Sequence, residues 1–296
     1  VTVGYKNELT DELRSIYSTS GASHVLAVSG LHVGILFAIL SFFFPLFMNR
    51  MCLRWIKEII VIAVLWCYAF MIGLPYSITR SLIMFTTIAV CRSIGRENSS
   101  LNALAFAALV ILVTNTNALF DIGFQLSFLA VLAILLWEPQ IRRIYTPTNR
   151  VVEYLWGITT VSLSAQLGTA PLVMLNFANY STYFLLTNFI VIPLMFVIVF
   201  VSVLMLIFSF VPIIRTLFVW VLTELVTITN RALSLIVDLP YSSLSVENVS
   251  AMLVCCLYLS MLFVYLYLIR KKSVYLLYLL SLWTIWSLLE LYVKLG

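Results

Sequence analysis

Two histidines flank a Ser-Gly pair at the start of a long apolar run, in the segment HVLAVSGLHVG that begins at His24. An uninterrupted helix would place His24 and His32 about 80° apart around its axis and two turns along it, with Ser29 between them. Imidazole and hydroxyl groups at this spacing could bind a metal ion, could act as a base and a nucleophile, or could form hydrogen bonds between helices.

The surrounding residues argue against metal binding and against catalysis. A metal site would need two further ligands, and no Cys or acidic cluster near the histidines supplies them. A Ser-His protease would need an oriented nucleophile and base together with an oxyanion hole, which no second motif specifies. The five cysteines lack metal-ligand spacing and are predicted to pack inside helices. We therefore predict no enzyme activity, no catalytic residue, no metal and no cofactor for this chain.

The overall composition indicates that these residues lie in an integral membrane protein. The chain has 296 residues, of which 63% are hydrophobic and 10% are charged, and its mean hydropathy is +1.09. Soluble domains carry about 25% charged residues. Because the apolar runs are long enough to cross a hydrocarbon core as helices, we predict an all-α polytopic transmembrane bundle. No basic segment with a short apolar core precedes the first run, so we expect no signal peptide.

Hydropathy and loop residues divide the chain into a lead-in, residues 1–23, and about ten spans, several of them broken or kinked. The lead-in contains a charged segment, Lys6 to Tyr17, whose apolar residues have the spacing of a short amphipathic helix. The span at 215–237 is the most polar and could instead lie at the membrane interface. The predicted spans are 24–47, 55–74, 77–94, 99–118, 122–138, 152–176, 184–210, 215–237, 250–269 and 274–293.

The basic residues predict the orientation of the bundle. Alternate loops carry 12 of the 17 Lys and Arg residues, and the loops between them carry almost none. Because cytoplasmic loops retain basic residues, both chain ends are predicted to face outward, away from the cytoplasm. The net charge of +5 is thus explained by topology and does not indicate a nucleic-acid patch.

Polar residues inside the predicted spans indicate a polar vestibule, because such residues are costly in lipid and face a bundle interior or a wet cavity. All of them map to the outer half of the bilayer. They are His24, Ser29, His32, Arg80, Gln125, Gln166 and Asn188. Nearby glycines and prolines predict breaks in the same helices. These positions are Gly30, Gly34, Gly73, Pro75, Gly123, Gly168, Pro171 and Pro193.

Six segments in order resemble the membrane competence domain of ComEC-type proteins, the DNA-uptake channels of natural transformation. They are GASHVLAVSGLHVGIL, GLPYSITRSLIM, LNALAFAALVIL, NALFDIGFQLSFLAVLAIL, SLSAQLGTAPLVMLNF and LLTNFIVIPLMF. The resemblance is strongest over residues 21–194 and identifies residues 24–296 as the membrane competence domain. It adds little beyond about residue 200.

The resemblance implies an inner-membrane channel that conducts single-stranded DNA into the cytoplasm. Family members also carry an extracytoplasmic OB-like domain and a metallo-β-lactamase-like domain proposed to be a nuclease, and neither is found in this sequence. Implied partners are single-stranded DNA, membrane lipid, those two domains in cis or in trans, a cytoplasmic motor and a second copy of the chain. Alternatives are a small-solute transporter or a membrane scaffold for a separate nuclease.

If the chain is a DNA channel, Arg80 is the best candidate for binding a phosphate. Its alternative role is that of an arginine at a helix end that reaches back to the membrane interface. For His24, Ser29 and His32 we expect hydrogen bonds that hold a broken first span against Arg80, Gln125 or Gln166, with direct contact to DNA as the alternative.

Overall fold

The computed structural model describes residues 10–26, 29–43, 53–74, 76–93, 100–177, 179–246 and 249–295. Across these residues the chain is mostly α-helical, with one 3-10 helix, Thr116–Phe120, and two short strands, β1 (Asn179–Ser181) and β2 (Ser243–Ser245). The helices are α1 (Asp11–Thr19), α2 (Ser23–Leu26), α3 (Gly30–Phe43), α4 (Leu53–Ile72), α5 (Tyr76–Ser93), α6 (Ser100–Thr114), α7 (Ile122–Arg142), α8 (Arg150–Phe177), α9 (Phe184–Ile207), α10 (Pro212–Val237), α11 (Ala251–Arg270) and α12 (Val274–Leu295).

The predicted helical membrane bundle is confirmed. Each of the ten predicted spans coincides with a helix, except that the first is divided into α2 and α3. Among the described residues, the five helices α7 to α11 are long and apolar enough to cross a membrane, and four further apolar helices are shorter. The most polar predicted span is α10, a continuous helix of 26 residues that belongs to the five.

Only some of the predicted helix breaks are present. Gly30 is the first residue of α3, and Gly73 ends α4 in a turn with a φ of +87°, a conformation that glycine adopts without steric cost. Five of the positions predicted as breaks or kinks lie inside helices that continue through them: Gly34, Gly123, Gly168, Pro171 and Pro193. Pro75 lies outside the described residues.

The chain forms two compact units. The first comprises residues 1–128 and 181–243, and the second comprises residues 129–180 and 244–296. In the first unit, α3 separates two apolar clusters. Ile35 and Ile39 pack with residues of α1, α2, α9 and α10, whereas Val33 and Leu36 pack with residues of α4 and α5. A helix with apolar residues all around its axis is suited to this central position.

The lead-in helix α1 is fixed to the first unit by polar contacts. Its N-cap is Thr10, whose side chain accepts a hydrogen bond from the N–H of Leu13. At its other end, the buried Tyr17 donates a hydrogen bond of 2.7 Å to Oδ1 of Asn230 on α10. Next to it, Thr187 of α9 donates one of 2.8 Å to the carbonyl of Ser20. The predicted amphipathic helix is therefore present, from Asp11 to Thr19 within the described residues.

In the second unit, Gly168 allows α8 to approach α7 closely. A Cβ on Gly168 would lie 2.4 Å from Cβ of Ala133 and 2.7 Å from the carbonyl oxygen of Leu129. The carbonyl of Gly168 accepts a 2.9 Å hydrogen bond from the hydroxyl of Tyr258 on α11. The glycine thus serves helix packing in the middle of α8, where a break was predicted.

The loops before α9 and before α11 are also joined. Strands β1 and β2 pair in a two-stranded sheet. Beyond it, Tyr183 donates a hydrogen bond of 3.1 Å to the carbonyl of Pro240, and the hydroxyl of Thr182 donates one to the carbonyl of Tyr241.

Candidate functional site

An ion pair joins α5 to the residue before α7 in the first unit. Nη1 of Arg80 lies 3.6 Å from Oδ1 of Asp121. The Arg80 side chain is 11% exposed, and that of Asp121 is 51% exposed. Nε of Arg80 is buried and has no hydrogen-bond partner among the described residues. Arg80 is therefore a largely buried cation, and the side chain of its acidic partner is about half exposed.

Asp121 also caps α7. Its Oδ1 accepts a 2.8 Å hydrogen bond from the N–H of Phe124, and its main-chain carbonyl accepts one of 3.0 Å from the N–H of Gln125. An aspartate in this position satisfies one of the free N–H groups of the first turn and interacts favourably with the helix dipole. The Asp121 carboxylate thus pairs with the Arg80 guanidinium and also caps the N-terminus of α7.

Gly123 provides the space in which this pair forms. A Cβ on Gly123 would lie 2.9 Å from Oδ1 of Asp121 and 3.1 Å from Nη2 of Arg80. The guanidinium therefore lies directly against the first turn of α7, and a larger residue at this position would displace it or the carboxylate. The role of Gly123 is close approach, and α7 continues without a break through it.

Asp121 was missed as a site residue by the sequence analysis. It lies immediately before the apolar run of the fifth predicted span, whereas the site residues were chosen among polar residues inside the spans. Its position could have indicated a helix cap, since Asp is favoured immediately before the first helical residue. The pairing with Arg80 could not be read in this way, because 41 positions separate the two residues in the chain.

His32 and Ser29 form a cap at the start of α3. Nδ1 of His32 accepts a hydrogen bond of 3.2 Å from the N–H of Ser29, and the hydroxyl of Ser29 lies 3.2 Å from the same nitrogen. This is the side-chain-to-backbone half of a capping box, with His32 at the third helical position in place of Glu or Gln. Because Nδ1 is the acceptor, the ring proton of neutral His32 is on Nε2. That atom is buried and has no hydrogen-bond partner in the described part of the chain.

Within the described part of the chain, the hydrogen bonds of His32 and Gln125 are local, whereas bonds between helices were predicted. His32 bonds to Ser29, three residues away, and Nε2 of Gln125 donates a hydrogen bond of 2.9 Å to the carbonyl of Leu119, six residues away. A nearby backbone group satisfies a polar side chain at a helix end with less loss of conformational freedom than a distant side chain does. The close contact between α3 and α5 is made by small residues.

Gly30 and Gly34 of α3 face α5. A Cβ on Gly30 would lie 2.5 Å from Oγ of Ser81, and one on Gly34 would lie 3.4 Å from Cζ of Phe85. Phe85 in turn stacks on Phe37 with ring centroids 5.0 Å apart. The segment Gly-Leu-His-Val-Gly is thus a small-xxx-small motif that lets two helices approach closely in a membrane protein.

The structure places the remaining vestibule residues as follows. His24 is exposed on the short helix α2. Asn188 is partly buried on α9, next to Thr187, and Gln166 is partly buried on α8 in the second unit. The sequence predicted all seven residues as one group. Of these, Ser29 and His32 contact each other. Ser81, which follows Arg80 on α5, lies against Gly30, which follows Ser29.

The first turns of α3 and α7 both lie against the N-terminal part of α5, where Arg80 lies. The start of α3 contacts Ser81, and the start of α7 contacts Arg80. Helix N-termini carry partial positive charge, so the single carboxylate of Asp121 faces a guanidinium and the dipoles of helices. Such a place attracts anions. The described residues contain no group of three or more His, Cys, Asp or Glu side chains that could hold a metal ion.

The sequence of the chain is similar to those of known competence proteins. Residues 1–271 match the family model described as Competence protein. The chain is 30% identical over 193 residues to ComE operon protein 3 of Bacillus subtilis (strain 168), an alignment that covers 65% of this chain and 24% of that protein. It is 31% identical over 210 residues to an uncharacterized protein of Aquifex aeolicus (strain VF5), covering 70% of this chain and 46% of that one.

The chain thus spans about a quarter and about half of the length of these two curated relatives. No solved structure matches it. The family match extends over most of the chain and includes every helix from α1 to α11. This membrane protein therefore belongs to the competence protein family.

Proposed function

We propose that this chain is the membrane domain of a DNA-uptake system and conducts single-stranded DNA inward across the bacterial cytoplasmic membrane. The family match supports a role in competence. The similarity to a ComE operon protein supports the same role. The proposed passage needs a route through the bundle and at least one group that attracts phosphates in an otherwise apolar surrounding.

The observation that carries the proposal is the placement of Arg80. Most of the basic residues of the chain lie in alternate loops, on the side predicted to be cytoplasmic. Arg80 instead lies near the N-terminal end of α5, beside the first turns of α3 and α7, and its side chain is largely buried. Guanidinium groups bind phosphate oxygens with several N–H donors at once, and single-stranded nucleic acid is held chiefly through its phosphates.

The same proposal places the remaining predicted residues and partners. We propose that His24, Ser29, His32, Gln125 and Asn188, which belong to the first unit, line an outward vestibule with Arg80. The chain ends face outward, where OB-like and nuclease-like domains, in cis or in trans, would deliver one strand. Inward movement would rely on a cytoplasmic motor. Any hydrolysis of the second strand would belong to a partner domain.

The test is uptake of fluorescent DNA into the cytoplasm of a transformable host whose own channel carries this membrane domain. Arg80→Gln is compared with Arg142→Gln at matched membrane abundance. Arg142 is a suitable control because it is 55% exposed and makes ion pairs with Glu138 and Glu153, so its replacement removes the same charge elsewhere.

We expect DNA to accumulate outside cells that carry Arg80→Gln, with little or none entering, and normal entry with Arg142→Gln. Arg80→Lys should restore part of the entry, since it keeps the charge and loses the planar fork. Normal entry with Arg80→Gln would contradict the proposed route and favour a membrane scaffold that leaves passage to another protein.

A further inference from the structure

Asp121 is positioned to compete with a passing anion for Arg80. Its carboxylate is the acidic group paired with Arg80, and the Arg80 side chain is only 11% exposed, whereas that of Asp121 is 51% exposed. An anion that reaches the guanidinium from the more exposed side of the pair therefore meets Asp121 first.

The geometry also shows that Asp121 can release Arg80 at little cost. The contact between Nη1 and Oδ1 is 3.6 Å, longer than the 2.7–2.9 Å of a strong charge-assisted hydrogen bond. Oδ1 separately accepts the 2.8 Å hydrogen bond from Phe124. If the guanidinium turned to another anion, the carboxylate would keep this partner and its exposure, so neither member of the pair would be left as a buried, unpaired charge.

Arg80 retains donors for a second oxyanion. A guanidinium has five N–H donors, and the interaction shown for Arg80 within the described residues is this one ion pair, with Nε buried and unbonded. Gly123 in the first turn of α7 lies so close that a Cβ on it would be 3.1 Å from Nη2 of Arg80. A phosphate beside Arg80 would therefore meet both a cation and the positive end of a helix dipole.

We propose that Asp121 is an internal counter-ion that competes with a phosphate of the translocating strand for Arg80, and so limits how tightly each phosphate is held. This inference rests on the proposed function. A conduit must bind the strand strongly enough to admit it and weakly enough to release it, and the inference assigns this balance to Asp121. Asp121 acts through Arg80 and is a positioning residue.

The test compares substitutions that keep the helix cap and remove the charge. Asn and Ser are as good as Asp at an N-cap, so Asp121→Asn and Asp121→Ser should preserve the start of α7. The full chain in lipid nanodiscs is titrated with a fluorescent oligothymidylate at several salt concentrations, and with inorganic pyrophosphate as competitor. Thermal unfolding of each variant verifies the fold.

We expect Asp121→Asn and Asp121→Ser to raise oligothymidylate affinity by about two- to fivefold, which corresponds to removal of a partly exposed ion pair. Arg80→Gln should lower the affinity and reduce the salt slope by about 0.7, the value for one phosphate contact on a single strand. In the Arg80→Gln background, Asp121→Asn should have no effect, because the two residues act through one contact.

Equal or weaker oligothymidylate binding by both Asp121 variants would overturn the inference, as would failure of the unsubstituted chain to bind either probe. If Arg80→Gln abolishes uptake while the Asp121 variants bind like the unsubstituted chain, the proposed function stands and the counter-ion role falls. If pyrophosphate shows the expected pattern and DNA uptake is absent, Asp121 controls an oxyanion site and the proposed function falls.

Discussion

Gly30 at the start of α3 lies against Ser81 of α5 so closely that a Cβ on Gly30 would be 2.5 Å from Oγ of Ser81. Oγ of Ser81 is held in turn by its 3.1 Å hydrogen bond to the carbonyl of Ser77. Because Ser81 follows Arg80 directly, this contact fixes the distance between the cap of α3 and the ion pair of α5.

Gly30→Ala is expected to destabilise the protein by about 1–3 kcal/mol, the usual cost of an overpacked contact. Gly157 of α8 is the matched control, because a Cβ there would meet nothing within 4 Å. Gly157→Ala should stabilise α8 by about 0.5–1 kcal/mol through helix propensity. The measurement is thermal unfolding in detergent, and equal shifts for the two variants would show that α3 and α5 are not in close contact.

Gly168→Ala should be more harmful than Gly30→Ala. The added methyl would lie 2.7 Å from the carbonyl oxygen of Leu129, a backbone atom that moves only if α7 moves, whereas a serine side chain can rotate away. We expect the unfolding temperature to fall further and the yield of folded protein in membranes to drop. A milder effect than that of Gly30→Ala would contradict the packing of α7 on α8.

His32→Leu should destabilise α3, because it removes the acceptor for the Ser29 N–H and places an apolar chain where the capping contact was. His32→Gln should retain most of the stability, since Gln at the third helical position makes the same reciprocal contact. The expected loss for His32→Leu is about 0.5–2 kcal/mol, measured by thermal unfolding. Equal unfolding temperatures for His32→Leu and His32→Gln would contradict the capping role of His32.

Tyr17→Phe should make the protein less sensitive to alkaline pH. Burial raises the pKa of the Tyr17 phenol above its ordinary value of 10.0, because the charged form is poorly solvated. Below pH 10.0, the phenol is protonated in both the folded and the unfolded chain, and its hydrogen bond to Asn230 contributes in full. Above pH 10.0, the unfolded chain ionises first, so this stabilisation is lost as pH rises.

The measurement is the difference in unfolding temperature between the unsubstituted chain and Tyr17→Phe from pH 7 to pH 11. The difference should be constant at neutral pH, where the hydrogen bond contributes about 1 kcal/mol, and should shrink above pH 10.0. A constant difference over the whole interval would show that the Tyr17 phenol does not ionise differently in the two states.

The predicted orientation can be tested by labelling single cysteines in exposed loop positions. Thr116→Cys and Thr148→Cys are introduced into a variant in which the native cysteines are replaced by alanine, since both threonines are exposed. The loop containing Thr148 carries Arg142, Arg143 and Arg150, so it should be cytoplasmic. An impermeant maleimide should label Thr116→Cys in intact spheroplasts and Thr148→Cys only after lysis. The reverse pattern would place the chain ends inside.

The sequence by itself determined the class of the protein and the positions of its helices. Apolar runs of membrane-spanning length leave the backbone no alternative to helices, because a lipid interior offers no partner for free N–H and C=O groups. For this reason even α10, with Glu224 and Arg231 within it, is one continuous helix. The order of six motifs also sufficed to indicate the family.

Only the tertiary structure decided what the polar and small residues do. Pro171 and Pro193 were predicted to break helices and lie within continuous ones, since surrounding groups in a packed bundle can compensate for a lost backbone hydrogen bond. Gly123 and Gly168 were interpreted as helix breaks because glycine has a flexible backbone. In the structure, their lack of a side chain leaves space for Arg80 and for α7. The pairing of Arg80 with Asp121 depends on which helix ends lie next to each other. Packing between segments that are distant in the chain determines this arrangement, and a local sequence pattern does not encode it.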